Sequence, residues 1–424
     1  MIYLANKLAT SFHKGFIANP VRMIIETDHA VSAKILFPSV TVCPGTLFNH
    51  SKAVNLIQTF KLPNGTTEDI VMKNLYQIYA FTYPKFKTSN DRLSVLSEVM
   101  NLNNYTLIKF LADTQWDCGA FFFRCRFQSK TANCSDIFRI NKSHVGFCCS
   151  FNSQQSKDNI HRFKSNRHGL RQGLSLIFND VDFDNTHLLS SNPQRFRLLI
   201  HRPTAYPDQS TFRKFLHRNE EILLRFDPTE TTYSDEVWKR LTMDERNCTL
   251  LSETHLYSFK NYNRQNCIAE CLSSIILKTC KCVPFNLFPP PNSLVCNFGD
   301  VSCVSNNYKL FKRLKDDCKC LDHCKKIEYA IRLTSGKLET TVDVADPFYD
   351  GFHENFTVVH VFLQSQEYRR IRRDIVWNIV SLAGNLGNCY SVFVGISALS
   401  IFELIYFSVF VLRRNYKNNT DLEN

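Results

Sequence analysis

Apolar residues are spread unevenly along this chain, and one stretch holds them almost without interruption. Ile375–Leu412 reads IVWNIVSLAGNLGNCYSVFVGISALSIFELIYFSVFVL, 38 residues with a single charge, Glu403. A bilayer core of ~30 Å is crossed by ~20 apolar helical residues. At ~1.5 Å per residue this stretch would reach ~57 Å as one helix, so the pattern predicts a membrane span with several turns to spare. The span also carries groups that an anchor does not need: Gly384, Gly387, Gly395, Asn385, Asn388, Ser381, Ser391, Ser397, Ser400 and the carboxylate. Small residues let backbones approach closely, and polar groups within a span face a bundle interior or a water-filled path. Arg413, Arg414 and Lys417 follow at once and point to a short cytoplasmic tail over 413–424. Arg369, Arg370, Arg372 and Arg373 precede the span and pull the other way.

Elsewhere the pattern is mostly of period two. FPSVTVC at 37–43 alternates β-branched residues between Pro38 and Pro44 and predicts a strand. Strands are also predicted over 172–179, with Leu174, Leu176 and Phe178 on one face, over 195–203, over 220–226 and over 357–363 (TVVHVFL), the last leading through basic residues directly into the span. Residues 50–115 show mixed helical spacing. Asn266–Ile276 is helical, with Cys267 and Cys271 on one face. A second helix is predicted over 306–315, so two short helices flanked by cysteines could be laced into a stiff unit by disulfides. The first 20 residues, MIYLANKLATSFHKGFIANP, are too charged at Lys7, His13 and Lys14 for a signal peptide or a span.

Cysteine alters the picture most. Of 17 cysteines, 16 precede the span, together with seven N-x-S/T sequons at Asn49, Asn64, Asn104, Asn133, Asn141, Asn247 and Asn355. That combination fits an oxidising lumen and predicts a glycosylated, fully disulfide-paired extracellular region. Cys389, inside the span, is expected as a buried thiol. No CxxC knuckle suggests zinc, and no cofactor is expected. The net charge of +12 is spread along the chain, and its densest groups, 161–171 and 369–373, are expected to be solvated faces. No nucleic-acid motif is present. Neither GxSxG, HExxH nor a phosphate loop occurs, which argues against an enzyme.

With these residues in place, the chain resembles the degenerin/epithelial sodium channel family, and its insect pickpocket branch in particular, over about 19–412. FPSVTVC at 37–43 is similar to the family's FPAVTxC, and GFCCSFN at 146–152 to GxCYTFN. The cysteine order around 248–324 follows the family's. Gly395-Ile396-Ser397 with Leu399, Ser400 and Glu403 fits GxSxLTxxE. The resemblance implies an α+β fold: a β-rich palm with helical thumb and finger parts, disulfide-rich, followed by a C-terminal transmembrane helix. It implies disulfides Cys43–Cys148, Cys125–Cys134, Cys248–Cys324, Cys267–Cys320, Cys271–Cys318, Cys280–Cys303 and Cys282–Cys296, which leaves Cys118 and Cys149 as a last pair. It further implies a homo- or heterotrimer of related subunits around one pore. Gly395, Ile396 and Ser397 would form the selectivity filter and Glu403 an acidic ring. Ala383 or Gly384 would be the gating-sensitive small position.

The expected organisation is therefore a remnant at 1–36, an extracellular domain at 37–374 with a thumb-like region near 248–324, a pore helix at 375–412 and the tail. The expected function is passive sodium transport across the plasma membrane, opened by an unidentified extracellular activator. Departures from the family pattern are Asp322 for a proline, Ser391 for a glycine, and the lack of a first span with its His-Gly motif. They keep a second class open: a non-conducting, single-pass surface protein that binds a ligand or a sister subunit.

Overall fold

The computed structural model describes the chain apart from residues 1, 19, 32–34, 84–85, 87, 155–162, 166, 180–195, 339–344, 352–354, 377–378, 396 and 421–424. Its helices are α1 (Ile2–Ala18), α2 (His50–Ile57), α3 (Glu68–Leu75), α4 (Asn90–Leu102), α5 (Leu107–Asp113), α6 (Cys134–Ile137), α7 (Asp235–Arg240), α8 (Met243–Arg246), α9 (Arg264–Cys280), α10 (Val301–Asn306), α11 (Tyr308–Asp316), α12 (Ile379–Val394) and α13 (Ala398–Thr420). Its strands are β1 (Val21–Val31), β2 (Ser39–Pro44), β3 (Phe122–Phe127), β4 (Lys130–Ala132), β5 (Phe138–Ser143), β6 (Gly146–Phe151), β7 (Leu174–Phe178), β8 (Phe196–His201), β9 (Phe212–Leu216), β10 (Glu220–Tyr233), β11 (Lys326–Lys337), β12 (Thr357–Leu363) and β13 (Glu367–Ile375).

The chain divides into two units. One comprises Met1–Ile25, Thr232–Asn247 and Ile371–Asn424; the other comprises Glu26–Thr231 and Cys248–Arg370. The larger unit is built on two sheets. One has the order β1-β13-β10-β12-β7-β3-β4, with β11 also on β10, and the other β5-β6-β2-β8-β9. The strands expected to make up one palm therefore fall in two sheets: β2 and β8 in the second, β7 and β12 in the first. Aromatic rings join them. Phe37 meets Phe127, Phe151 and Phe226 edge-on, with centroids 5.4, 5.8 and 5.1 Å away. These rings belong to one buried cluster with Val40, Leu176, Leu198, Phe178 and Val359. Each fully buried ring contributes roughly 1.5–3 kcal/mol from burial alone.

The alternation in 172–179 suggests one buried face, yet every residue of β7 and β12 is buried. The second face is covered by Phe348 and Phe356, which cluster with Ile177 and Val358. A separate apolar core joins α3, α4, α5, α9, α10 and α11 through Leu75, Leu96, Phe110, Ile276, Val301 and Phe311.

Eight disulfides are present among the described residues. Cys43–Cys148, Cys118–Cys149 and Cys125–Cys134 tie the β-rich part. Cys248–Cys324, Cys267–Cys320, Cys271–Cys318, Cys280–Cys303 and Cys282–Cys296 tie the helical part. The lacing from α9 runs through Cys267 and Cys271 to the segment after α11, and through Cys280 to α10.

The basic run before the span is not a loop. Arg369–Arg373 lie in β13, whose run of charges hides the strand from an apolar pattern. Arg369 pairs with Asp28 at 2.7 Å and Arg370 with Glu230 at 3.0 Å. Arg373 is buried and donates to the Arg246 carbonyl, so the expected solvated face is only partly one.

A polar group also sits within the sheet. His360 on β12 is fully buried, with Nδ1 2.9 Å from Ser175 Oγ and Nε2 3.2 Å from both Glu221 Oε1 and the Tyr349 hydroxyl. The hydrogen bond from His360 holds the Glu221 carboxyl below its ordinary value of 4.5, against the opposing effect of burial. A carboxylate with a lowered folded pKa stabilises the fold above its unfolded pKa, and that contribution disappears as pH falls through the folded value. Glu221→Gln is therefore expected to lower the thermal midpoint at pH 7, with the gap to the parent closing as the pH drops below about 4. A gap that stays constant over that range would contradict the pairing.

Candidate functional site

The apolar stretch expected as one helix is two helices. Among the described residues no single helix is long and apolar enough to cross a membrane; α12 and α13 together meet that requirement and are bent by 79° at their junction. The sequence explains the break. Gly395 has φ +73°, a left-handed conformation that L side chains avoid, and a Cβ built there would meet no neighbour within 4 Å. Glycine is thus required by the backbone and not by crowding, as at many helix C-termini. The Gly395 N–H still donates to the Ser391 carbonyl at 2.9 Å and closes α12.

Ser397 then opens α13. Its Oγ accepts from the Ser400 N–H at 3.2 Å, and its own N–H donates to Ser400 Oγ at 3.4 Å. This is a reciprocal cap with serine in the place usually held by Glu or Gln. The spacing S-x-x-S carried that signal, and the sequence reading gave both serines only to a family motif. Ile396, the middle residue of the expected filter, lies outside the described residues.

The two faces of α12 differ. Toward α1, the Cys389 thiol is free and buried, 3.4 Å from the Ala5 carbonyl, and the Tyr390 hydroxyl donates to Asn6 Oδ1 at 2.8 Å. Ala5 and Ala9 are buried at this contact, where small side chains permit close approach. Residues 2–18, to which the sequence reading gave no element, therefore form a helix that serves as a partner for α12. On the opposite face Gly384, Asn388, Ser391 and Gly395, spaced by three or four, are all exposed, as is Ala383. A built Cβ at Gly384 or Gly387 would touch nothing.

From Ile401 to Arg414, α13 is exposed on all sides, including Phe402, Leu404, Tyr406 and Phe410. A helix apolar all round calls for lipid or a protein partner. Glu403 is exposed six residues beyond Ser397, or ~9 Å along the helix. Arg413 and Arg414, ten and eleven residues further on, are exposed as well.

Of the sequon asparagines, Asn64, Asn104, Asn133, Asn247 and Asn355 are exposed, and Asn49 and Asn141 are half-buried. Asn49 and Asn133 cap α2 and α6 through Oδ1, which leaves Nδ2 as the atom a glycan would use. Asn104 and Asn247 occupy left-handed positions at φ 54° and 48°.

A family model described as "Amiloride-sensitive sodium channel" matches residues 1–407. The chain belongs to the amiloride-sensitive sodium channel family. It is 34% identical over 98% of its length to "Sodium channel protein Nach" of Drosophila ananassae, of which it covers 81%. It is 24% identical over 90% of its length to "Pickpocket protein 19" of Drosophila melanogaster, covering 78% of that protein. A solved proton-activated chloride channel aligns with 98% of this chain and 94% of its own at 7% identity and a TM-score of 0.30, which is too low to bear on the fold. For this amiloride-sensitive channel relative, the break between α12 and α13 is the feature that the apolar pattern alone did not place.

Ser397→Ala is expected to remove the cap and cost about 1 kcal/mol at the start of α13. Hydrogen exchange at the Ser400 amide should quicken by roughly fivefold, and Ser397→Asn should restore protection. Unchanged protection in Ser397→Ala would show that the cap does not hold the break.

Proposed function

We propose that this chain is a pore-lining subunit of a sodium-preferring cation channel in the plasma membrane, with three subunits around one pore and an extracellular stimulus opening it. The observation that carries this reading is the capped break at Gly395–Ser397 within an otherwise apolar pair of helices. A chain that only anchors a domain has no use for such a break. The relatives' names as sodium channel proteins support sodium as the permeant ion.

In a threefold assembly the exposed line Gly384, Asn388, Ser391 and Gly395 would face the axis. Carbonyl groups around Gly395 and Ile396, together with the Ser397 hydroxyl, would form a ring of oxygens able to replace part of a sodium ion's water shell. The Ser397 hydroxyl oxygen carries two lone pairs; the Ser400 N–H uses one, and the other stays open when the Ser397 hydroxyl donates to the Ser400 hydroxyl 3.2 Å away. Glu403 would place three carboxylates beyond the filter and raise the local cation concentration. Ala383 and Gly384 sit where a small change in helix packing would narrow or widen the path. A shift in the disulfide-laced region would reach α12 through β13, the strand that leads into it, and so bias a closed–open equilibrium.

In an assembled channel, Ser397→Cys is expected to let an external thiol reagent block the current. Unchanged current with confirmed surface labelling would remove Ser397 from the conduction path. Glu403→Gln should lower unitary sodium conductance severalfold while leaving surface expression intact. Equal conductance would give Glu403 no part in collecting cations, and a complete absence of current from correctly surfaced assemblies would favour a non-conducting binding subunit.

A further inference from the structure

The larger unit contains a cavity of about 170 Å³ that the pore reading does not use. Its walls come from α9, α10, α11, the 3-10 turn Tyr76–Phe81 and the segment after β8. Protein interiors hold few voids of this size. Apolar cavities of ~150 Å³ stay dry and accept a benzene-sized guest. The floor is apolar: Phe81, Leu272, Ile276, Leu287, Val304 and Phe311. It also cannot easily collapse. Cys271–Cys318 and Cys280–Cys303 tie α9 to the segment after α11 and to α10, one bond on each side of Leu272 and Ile276. The Tyr206 hydroxyl fixes a further wall by donating to the Asn286 carbonyl at 3.0 Å.

The mouth is polar, lined by two lysines and two aspartates. Lys312 and Lys315 line it from α11, and neither has an ion-pair partner among the described residues. Arg213 stands nearby, its guanidinium bonded to the carbonyl of Gln209, another lining residue. Two carboxylates oppose these three cations. Asp208 has Oδ1 committed to the Ser210 N–H and hydroxyl and to the Thr211 hydroxyl; Asp316 ends α11. His144, also in the wall, is held below its ordinary value by burial, against the opposing hydrogen bond to the Pro207 carbonyl at 3.0 Å.

We propose that this cavity binds a small amphipathic carboxylate. A chain of about six to eight carbons fills the apolar floor, and the carboxylate meets the Lys312 and Lys315 ammonium groups. This site does not rest on the pore reading: binding is measured without current, so either can fail alone.

The test uses the full chain in lipid nanodiscs, photolysed with octanoic acid bearing a diazirine in its chain, with labelled peptides mapped by mass spectrometry. Labels are expected in the α9 and α10–α11 peptides. Unlabelled octanoate should compete, and octylammonium should compete about tenfold less well, the ratio expected from one opposed charge at a partly screened mouth. Lys312→Glu with Lys315→Glu, the first exposed and the second half-buried, should weaken octanoate competition about tenfold while labelling by the matching diazirine alcohol persists. Leu272→Trp, which fills the floor, should abolish both labels. Labelling confined to α12 and α13, equal competition by octylammonium, or a double lysine variant indistinguishable from the parent would each overturn the proposal.

Discussion

A helix cannot stop inside an apolar stretch without finding partners for the backbone groups it frees, because hydrocarbon supplies none. That constraint organises the C-terminal unit. Gly395 takes a left-handed turn, its N–H stays bonded to Ser391, and Ser397 and Ser400 cap the next helix reciprocally. These bonds satisfy some of the backbone groups that the break frees, and in hydrocarbon each group left unpaired would cost several kcal/mol. The consequences are local and specific. α12 keeps one face for α1 and leaves its small-residue face open, while α13 presents apolar side chains in every direction.

The larger unit meets a different requirement. It holds strand registers and helix positions firm with two aromatic-rich cores and eight covalent ties among the described residues. The β-rich core needs only three of the ties, because Phe37, Phe151, Phe178 and Phe226 already interlock the two sheets. The helical part carries five, and the elements they join are short: α10 and α11 have 6 and 9 residues. Helices of that length are marginal without tertiary support, so cross-links there do what packing does in the sheets. They also keep a void open beside α9 that an unlaced core would be free to close.

Much of this was legible in the sequence, for identifiable reasons. The run TVVHVFL coincides with β12, since a buried β-branched run flanked by polar residues has few alternatives. The helical spacing around Cys267 and Cys271 marks α9, although the helix extends to Cys280. What escaped was structure whose stabilising partners are distant in sequence. β1 falls in a stretch given no element and β13 in a basic run, yet Asp28 and Glu230 neutralise Arg369 and Arg370 across the sheet. β11, at Lys326–Lys337, is largely exposed and is held by its register with β10. At the site itself, hydropathy gave one long span because Gly395, Ile396 and Ser397 barely change its average. The glycine turn and the serine cap, and not the apolar content, decide where the helix ends.

The pore arrangement makes one demand that can be checked without knowing the opening stimulus: the Ser391 face of α12 must meet its copies near an axis. The most direct measurement is oxidative cross-linking in membranes of the chain carrying Ser391→Cys, compared with Leu386→Cys on the side toward α1. A subunit arranged around a pore predicts covalent dimers from Ser391→Cys and none from Leu386→Cys. Cross-linking through Leu386→Cys alone, or none through either in an assembled complex, would contradict the account.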